Sequence, residues 1–192
     1  MSKVGIFGGS FNPIHNGHLA ITEIAIKQLS LDKLILVPSK KQPFKNEWEL
    51  AAFYHRFTMA WLATRHNNNI ICDDIESDIP GTTYLITTLR LLRKKYEGEF
   101  YFIMGGDSAS DFDRWKDPGG IRELANLVVF PRGNNPIPDD MLVLNSCPQF
   151  ESSTDIRWLI TFGDPIDNLV PKPVDRYIKA WGLYQSVPSL LT

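Results

Sequence analysis

The sequence predicts an α/β fold in which helices flank a central parallel sheet. Short apolar runs, which are typical of buried strands, alternate along the chain with longer segments of helical period. The runs that predict strands span residues 4–7, 34–37, 70–71, 100–104 and 127–130, and the helical patterns span residues 19–29, 50–63 and 84–92. The residues unusual for a core follow directly after Phe7, Val37, Met104 and Phe130. This placement favours a ligand site, because the carboxyl ends of parallel strands open into a crevice.

The first helical pattern shows how such a segment covers a sheet. Its apolar residues Leu19, Ile21, Ile24, Ala25 and Leu29 recur at the spacing that gives a helix roughly one buried face. Clusters of proline and glycine at residues 131–138 and 163–173 predict loops within the same domain.

Length and composition limit the classes of protein that fit. With 192 residues, 43% of them hydrophobic, the chain predicts one domain over residues 1–192, with residues 150–186 as its C-terminal helical part. The 20 Lys and Arg residues are balanced by 22 Asp and Glu residues, which argues against nucleic acid or an anionic membrane as a partner. Cys72 and Cys147 lie too far apart in sequence to predict a disulfide framework or a zinc site. The chain begins without a signal-peptide pattern and holds no run long enough to span a bilayer, so we expect it to be cytoplasmic.

The loop after the first predicted strand has the character of a phosphate site. It reads Gly8-Gly9-Ser10-Phe11-Asn12-Pro13-Ile14-His15-Asn16-Gly17-His18 and leads into the first helix. Paired glycines let the backbone approach a ligand, and a helix amino terminus attracts an anion. His15 and His18 are three residues apart, so both can reach the same phosphate oxygens. A His-x-x-His pair alone would also fit a helix cap, a core position or half of a metal site, but the glycines favour phosphate.

These residues resemble the nucleotidyltransferase signature G-[TS]-F-[DN]-P-x-H-x-G-H, and the best match is the bacterial nicotinate-nucleotide adenylyltransferase family. The resemblance continues through residues 102–108, Trp115, residues 152–157 and residues 177–184. It implies a Rossmann-like nucleotidyltransferase fold, and ATP and nicotinate mononucleotide as substrates. It also implies Mg²⁺ carried with the ATP phosphates, with no metal ligand assigned to the protein. Gly8, Gly9, Ser10 and Phe11 would then contact ATP together with the two histidines.

A second anion site is expected at residues 152–157. Three hydroxyl residues, Ser152, Ser153 and Thr154, precede an apolar helical pattern, and Arg157 follows one turn later. Simple capping explains the hydroxyl residues alone, whereas the arginine favours a phosphate site. The resemblance assigns Ser153, Thr154 and Arg157 to the β and γ phosphates of ATP, and Glu151 stands where the family usually has an apolar residue.

Residues after the fourth predicted strand are expected to bind the two nucleosides. Asp107 follows two glycines, which fits either a ribose-binding carboxylate or a turn, and the resemblance places it in the ATP region. Trp115 offers a flat face for a pyridine ring or packs in the fold. The resemblance implies that it stacks on nicotinate, whose carboxylate would meet backbone N–H groups near Lys116 and Leu85. Tyr84 belongs to the same mononucleotide region, and Leu85 replaces a threonine of the family.

Two further cations are assigned by the resemblance. The basic run of residues 38–45 could be only a solvated face, but Lys45 matches a phosphate-contacting cation of the family, with Phe44 in place of the usual histidine. Arg132 fits the arginine that follows the fifth strand, and we assign both Lys45 and Arg132 to the mononucleotide region.

The expected reaction needs no general base, because the nucleophile is already a phosphate oxygen. Catalysis would come from positioning and from neutralising charge by His15, His18, Lys45 and Arg157. Transfer to nicotinamide mononucleotide or phosphopantetheine, cytidylyl transfer to an alcohol phosphate, and a non-catalytic nucleotide-binding module are the alternatives. The expected partners are small-molecule substrates, and a homo-oligomer is left open.

Overall fold

The protein is built on a six-stranded parallel sheet, as the alternating sequence pattern predicts. The computed structural model describes residues 1–41, 50–131, 136–145 and 150–185. The strands lie in the order β3-β2-β1-β4-β5-β6, and every neighbouring pair is parallel. Their bounds are β1 Lys3–Gly9, β2 Lys33–Pro38, β3 Ile70–Cys72, β4 Glu99–Gly105, β5 Asn126–Phe130 and β6 Leu142–Val143.

Helices cover both faces of the sheet. The helices are α1 Asn16–Leu29, α2 Phe53–Thr64, α3 Leu85–Lys95, α4 Gly106–Ser110, α5 Pro118–Leu124, α6 Ser153–Phe162 and α7 Lys172–Trp181, with a 3₁₀ turn at Phe112–Arg114. Side chains of β1 alternate between the faces: Val4 and Ile6 pack in the core beside α3 and α5, whereas Phe7 packs in the core beside α1, α2, α6 and α7. The predicted α/β class is therefore confirmed, with one core on each side of the sheet. None of the helices in the described part of the chain has the length and apolar character that a membrane span requires.

The strand order places the switch point of the sheet between β1 and β4. From β1 the chain proceeds outward to β2 and β3, and it then returns to the other side of β1 to form β4, β5 and β6. In such a sheet the crevice at the carboxyl ends of the two central strands is the preferred ligand site. The segment after Gly9 and helix α4 after Gly105 both lie at this edge.

Three details differ from the sequence-based expectations. Strand β1 continues through Gly8 and Gly9, which pair with Val37 and Pro38 of β2, so both glycines belong to the strand and not to the loop. Asp107 lies in the short helix α4, which the sequence pattern did not predict. Strand β6 was not expected, because two residues are too few to show a periodic pattern.

Candidate active site

His15 and His18 lie side by side at the start of α1. His15 is the N-cap residue and His18 the third helical residue, and their ring centroids are 3.7 Å apart. The backbone N–H of His15 donates to Nδ1 of His18 at 3.2 Å. Because Nδ1 accepts, the neutral His18 ring carries its hydrogen on Nε2. The ring is thereby set up as a hydrogen-bond donor at Nε2.

Two phenylalanines fix the orientation of the His18 ring. The ring centroid lies 5.0 Å from that of Phe11 and 6.0 Å from that of Phe7. Phe11 is 1% exposed and has a φ of 45°, in the left-handed region that bulky residues rarely adopt. The surrounding core therefore holds Phe11 in this conformation. We call residues 8–18, from the end of β1 to the first turn of α1, the phosphate loop.

Gly17 allows the loop to pack against the segment before α6. A Cβ atom at this position would lie 2.7 Å from Cβ of Phe150 and 3.0 Å from Cε1 of His15. On the other side, the N–H of Asn16 donates to the carbonyl of Leu169 at 2.8 Å. A cavity of about 110 Å³ opens here, lined by His15, Asn16, Gly17, Phe150, Glu151, Ile156, Asn168 and Leu169. The sequence did not predict Phe150 or residues 168–169 as part of this cavity. For Phe150 the one available signal was its position just before the hydroxyl run.

The amino terminus of α6 is tied to the phosphate loop by side chains. Ser152 caps the helix and exchanges hydrogen bonds with Asp155. The Ser153 hydroxyl donates to the carbonyl of Pro13 at 2.9 Å, and Nη1 of Arg157 donates to the carbonyl of Asn12 at 3.0 Å. Ser152 is therefore the helix cap, and Ser153 holds the phosphate loop against the start of α6.

Thr154 completes this end of the helix. Its side-chain oxygen accepts from Nη2 of Arg157 at 3.4 Å. The guanidinium is therefore held between the helix and the loop, so a positive charge stands beside the carbonyl of Asn12.

Asn12 joins the phosphate loop to two distant segments. Its Oδ1 accepts from the N–H of Ala51 at 3.0 Å and from the hydroxyl of Tyr184 at 2.9 Å. Burial raises the pKa of Tyr184, although the charges of Arg157 and Arg56 act in the opposite direction, so its phenol remains a neutral donor. The sequence alone does not indicate these contacts, because Ala51 lies 39 positions and Tyr184 172 positions from Asn12.

A second group of predicted residues lies on the opposite side of the sheet. We call Tyr84, Leu85, Trp115 and Lys116 the aromatic face. The half-buried Trp115 ring lies 5.3 Å from Phe112, and Lys116 Nζ lies 4.3 Å from the centroid of the Tyr84 ring. Leu85 is the first residue of α3. None of the hydrogen bonds between described residues uses the backbone N–H of Leu85 or Lys116.

The exposed carboxylate of Asp107 lies at the edge between these two groups. Asp107 belongs to the first turn of α4, and a Cβ at Gly105 would lie 2.5 Å from its Oδ1. Glycine at position 105 therefore leaves room for the carboxylate beside the end of β4.

In the described part of the basic run, the side chain of Lys40 stabilises the fold. The Lys40 ammonium donates to the carbonyls of Ser77 at 2.6 Å and Ile79 at 2.8 Å, so it holds a neighbouring loop. Lys45, Phe44 and Arg132 lie outside the described residues.

No cluster of three or more His, Cys, Asp or Glu in the described ranges could hold a metal ion. The donors gathered at the phosphate loop are imidazole and guanidinium groups, which suit phosphate oxygens.

The fold and the site define a nucleotidyltransferase. The model of the cytidylyltransferase-like family matches residues 6–158. A protein of Roseiflexus sp. (strain RS-1) called "probable nicotinate-nucleotide adenylyltransferase" is 37% identical over 96% of this chain and 98% of its own length. A protein of Bacillus pumilus with the same name is 34% identical over 97% of this chain and its full length. The chain belongs to the nicotinate-nucleotide adenylyltransferase family.

Solved structures agree with the fold. Plasmodium falciparum nicotinic acid mononucleotide adenylyltransferase, complexed with NaAD, superposes with a TM-score of 0.75 at 23% identity, over 96% of this chain and 98% of that chain. A structure from Vibrio parahaemolyticus superposes with a TM-score of 0.71 at 21% identity, over 97% and 98% of the two chains. At these identities the likeness is one of architecture, and it includes the helices at the carboxyl end of the chain.

Proposed function

We propose that this chain transfers AMP from ATP to nicotinate mononucleotide, which yields nicotinate adenine dinucleotide and pyrophosphate. The relatives at 33–37% identity carry this activity in their names. The observation that carries the proposal is the convergence of His18 and Arg157 on one loop at the switch point of the sheet. Both side chains carry N–H groups suited to phosphate oxygens, and both are oriented by hydrogen bonds within the protein.

The chemistry follows from these donors. A phosphate oxygen of the mononucleotide attacks the α phosphorus of ATP, a new P–O bond forms, and the bond to the β phosphate breaks. The attacking oxygen is already an anion, so no proton has to be removed, and catalysis consists of positioning and charge stabilisation. His18 would donate from Nε2 to the reacting phosphate, because its Nδ1 is occupied by the N–H of His15.

The remaining ATP contacts are proposed along the phosphate loop and α6. His15, the backbone of Gly8, Gly9, Ser10 and Phe11, and the amino terminus of α6 with Ser153 and Thr154 would surround the triphosphate. Arg157 would bridge the β and γ phosphates with a planar fork that a lysine lacks. Asp107 would accept from the ribose hydroxyls, since its carboxylate is exposed at the same edge. Lys45 is proposed to contact a phosphate on sequence grounds alone.

Magnesium is proposed to arrive with ATP. The phosphate oxygens of ATP would chelate the ion, because Mg²⁺ prefers oxygen ligands and is commonly bound through substrate phosphates. In that position the ion offsets the negative charge of the leaving pyrophosphate.

The aromatic face is proposed to bind the mononucleotide. Trp115 would stack on the pyridine ring, beside Tyr84. The backbone N–H groups of Leu85 and Lys116 donate to no described residue, so they are suited to the two oxygens of the nicotinate carboxylate. Arg132 is assigned to the same substrate from the sequence. We place the reaction in the cytoplasm. ATP is available there, and the reducing conditions are compatible with the free thiol of Cys72.

The test is pyrophosphate release from ATP with magnesium and a panel of acceptors. We expect release with nicotinate mononucleotide, and none when magnesium is omitted. A higher kcat/KM with phosphopantetheine would identify a different adenylyltransferase, and release from CTP with an alcohol phosphate would identify a cytidylyltransferase. ATP binding without release for any acceptor would identify a nucleotide-binding module.

A further inference from the structure

Arg56 is a buried cation that the proposed reaction does not use directly. It lies on α2, is 1% exposed, and is among the largest fully buried side chains of the described part of the chain. No salt bridge between described residues includes it. Burial lowers the pKa of the guanidinium, and the neighbouring Tyr184 and Glu76 act in the opposite direction, but arginine stays protonated at any physiological pH.

All the hydrogen bonds of Arg56 go to backbone carbonyls of segments around the site. Its Nη1 donates to Ser10 in the phosphate loop and to Ser39 after β2, both at 2.7 Å. Its Nε donates to Ala51 at 2.8 Å and its Nη2 to Lys40 at 3.2 Å. One planar side chain thereby holds the loops that follow β1 and β2 at a fixed separation. The N–H of Ser39 adds a direct bond to the carbonyl of Gly9 at 2.8 Å.

The bond to the Ser10 carbonyl also sets the direction of the next backbone N–H, that of Phe11. In a trans peptide the C=O and N–H groups point in opposite directions. When the Ser10 carbonyl faces Arg56, the N–H of Phe11 therefore faces away from it. None of the hydrogen bonds between described residues uses this N–H.

A buried cation without a carboxylate partner is costly, because neutral carbonyls replace only part of its hydration. The proposed substrates bring phosphate anions to the loop that Arg56 binds, and their charge would offset this cost. The position of Arg56 is thus explained by the chemistry of the site better than by the stability of the core.

We propose that Arg56 is a positioning residue for adenylyl transfer, which aligns the phosphate loop with the loop after β2 through its carbonyl bonds. This inference rests on the proposed function. It differs from the role of Arg157, because Arg56 holds the loop after β2 as well as the phosphate loop. The Lys41 carbonyl of the loop after β2 accepts from the N–H of Thr83 at 2.9 Å, next to Tyr84 of the aromatic face.

The test compares Arg56→Lys with Arg93→Lys. Arg93 is a matched control: its guanidinium also donates to two carbonyls, those of Gly98 at 2.7 Å and Leu124 at 2.5 Å, but at the opposite edge of the sheet. Lysine keeps the charge and cannot hold several carbonyls in one plane. We expect Arg56→Lys to lower kcat by about 100-fold, the usual effect of a small misplacement of reacting groups. We expect it to raise KM for both substrates by similar factors, whereas Arg93→Lys leaves all three constants unchanged.

Both variants are measured at a temperature at which circular dichroism shows them to be folded. A kcat of Arg56→Lys equal to that of the unsubstituted chain would overturn the proposal, as would an increase confined to KM for ATP. If Arg56→Lys does not fold, Arg56→Gln is measured in its place, with the same loss of kcat expected. Loss of folding in both variants would also overturn the proposal, because Arg56 would then be required for the fold itself.

A failure of the proposed function would be recognised separately. It would appear as absence of pyrophosphate release from the unsubstituted chain. The role of Arg56 would then be judged by the rise in Tm on adding ATP, which Arg56→Lys should reduce and Arg93→Lys should not. Equal rises in the two variants would count against it.

Discussion

The phosphate loop and the aromatic face are held in place by different kinds of contact. The phosphate loop is fixed through its own backbone: the carbonyls of Ser10, Asn12 and Pro13 accept hydrogen bonds from Arg56, Arg157 and Ser153. The aromatic face is held mainly by ring packing, with Trp115 against Phe112 and Phe102. A site that must stabilise charge in a transition state needs donors that cannot move. A site that must choose between similar rings needs only shape and a few donors.

The largest expected effect comes from the phosphate loop. His18→Ala should lower kcat by about 100- to 1,000-fold, because a preset donor to the reacting phosphate is lost. Steady-state pyrophosphate release measures this, with Tm as a check on folding. His66→Ala is the control, since His66 is exposed and contacts Arg65. If His18→Ala kept normal turnover, this loop would not be the reacting half of the site.

Arg157 tests whether the phosphate loop and α6 serve ATP alone. Arg157→Ala should raise KM for ATP by about 10- to 150-fold, the usual value of lost hydrogen bonds to a charged group. KM for nicotinate mononucleotide should change little. Initial rates with each substrate varied in turn separate the two constants, and Arg65→Ala, an exposed arginine on the far end of α2, is the control. Equal rises in both KM values would mean that the two halves of the site are not distinct.

The aromatic face should select the acid over the amide. A carboxylate accepts from both the Leu85 and Lys116 N–H groups, whereas a carboxamide must turn its own NH₂ donor toward one of them. This mismatch costs about 1–3 kcal/mol, or roughly five- to 150-fold in kcat/KM. The measurement is kcat/KM for the two mononucleotides. Lys116→Met should reduce the preference and not abolish it, because the backbone donors remain. Equal kcat/KM values in the unsubstituted chain would show that this pair of N–H donors does not bind the carboxylate.

The smallest effect concerns the packing beneath His15. Gly17→Ala places a Cβ 2.7 Å from Phe150 and 3.0 Å from His15, and such overpacking costs about 1–3 kcal/mol. Thermal unfolding should show a Tm lower by a few degrees per kcal/mol. Gly119→Ala is the matched control, because a Cβ there has no neighbour within 4 Å. An unchanged Tm for Gly17→Ala would show that residues 150–151 move aside freely and do not fix the loop.

The sequence revealed the fold class and the family because their signals are local. Residues 8–18 follow an apolar strand and enter an amphipathic helix, and a stretch of this length has few other interpretations. The prediction that His15 and His18 lie together rested on helical spacing, and their rings are 3.7 Å apart. The roles assigned to these and the other site residues remain predictions.

Arg56, Asn12 and Phe150 show what local patterns miss. Arg56 stands within an apolar helical pattern and looks like any polar residue on a helix. Its partners include the main-chain carbonyls of Ser10, Ser39 and Lys40. Every residue has such a carbonyl, so the sequence does not show which ones accept from Arg56. Asn12 meets Tyr184, and Gly17 faces Phe150, through contacts that exist only after the chain has folded. Distant pairs of this kind cannot be read from one sequence.

The position of β1 in the sheet has a consequence for synthesis on the ribosome. β1 bonds to β2 on one side and to β4 on the other, and β4 begins only at Glu99. A nascent chain that ends before Glu99 already contains His15, His18 and Arg56, but one edge of β1 has no partner strand. Exposed edges of this kind are prone to pair with other chains. Such a chain also lacks α6, which supplies Ser153 and Arg157. The newly made protein therefore passes through an aggregation-prone stage in which nothing resembling an active site has yet assembled.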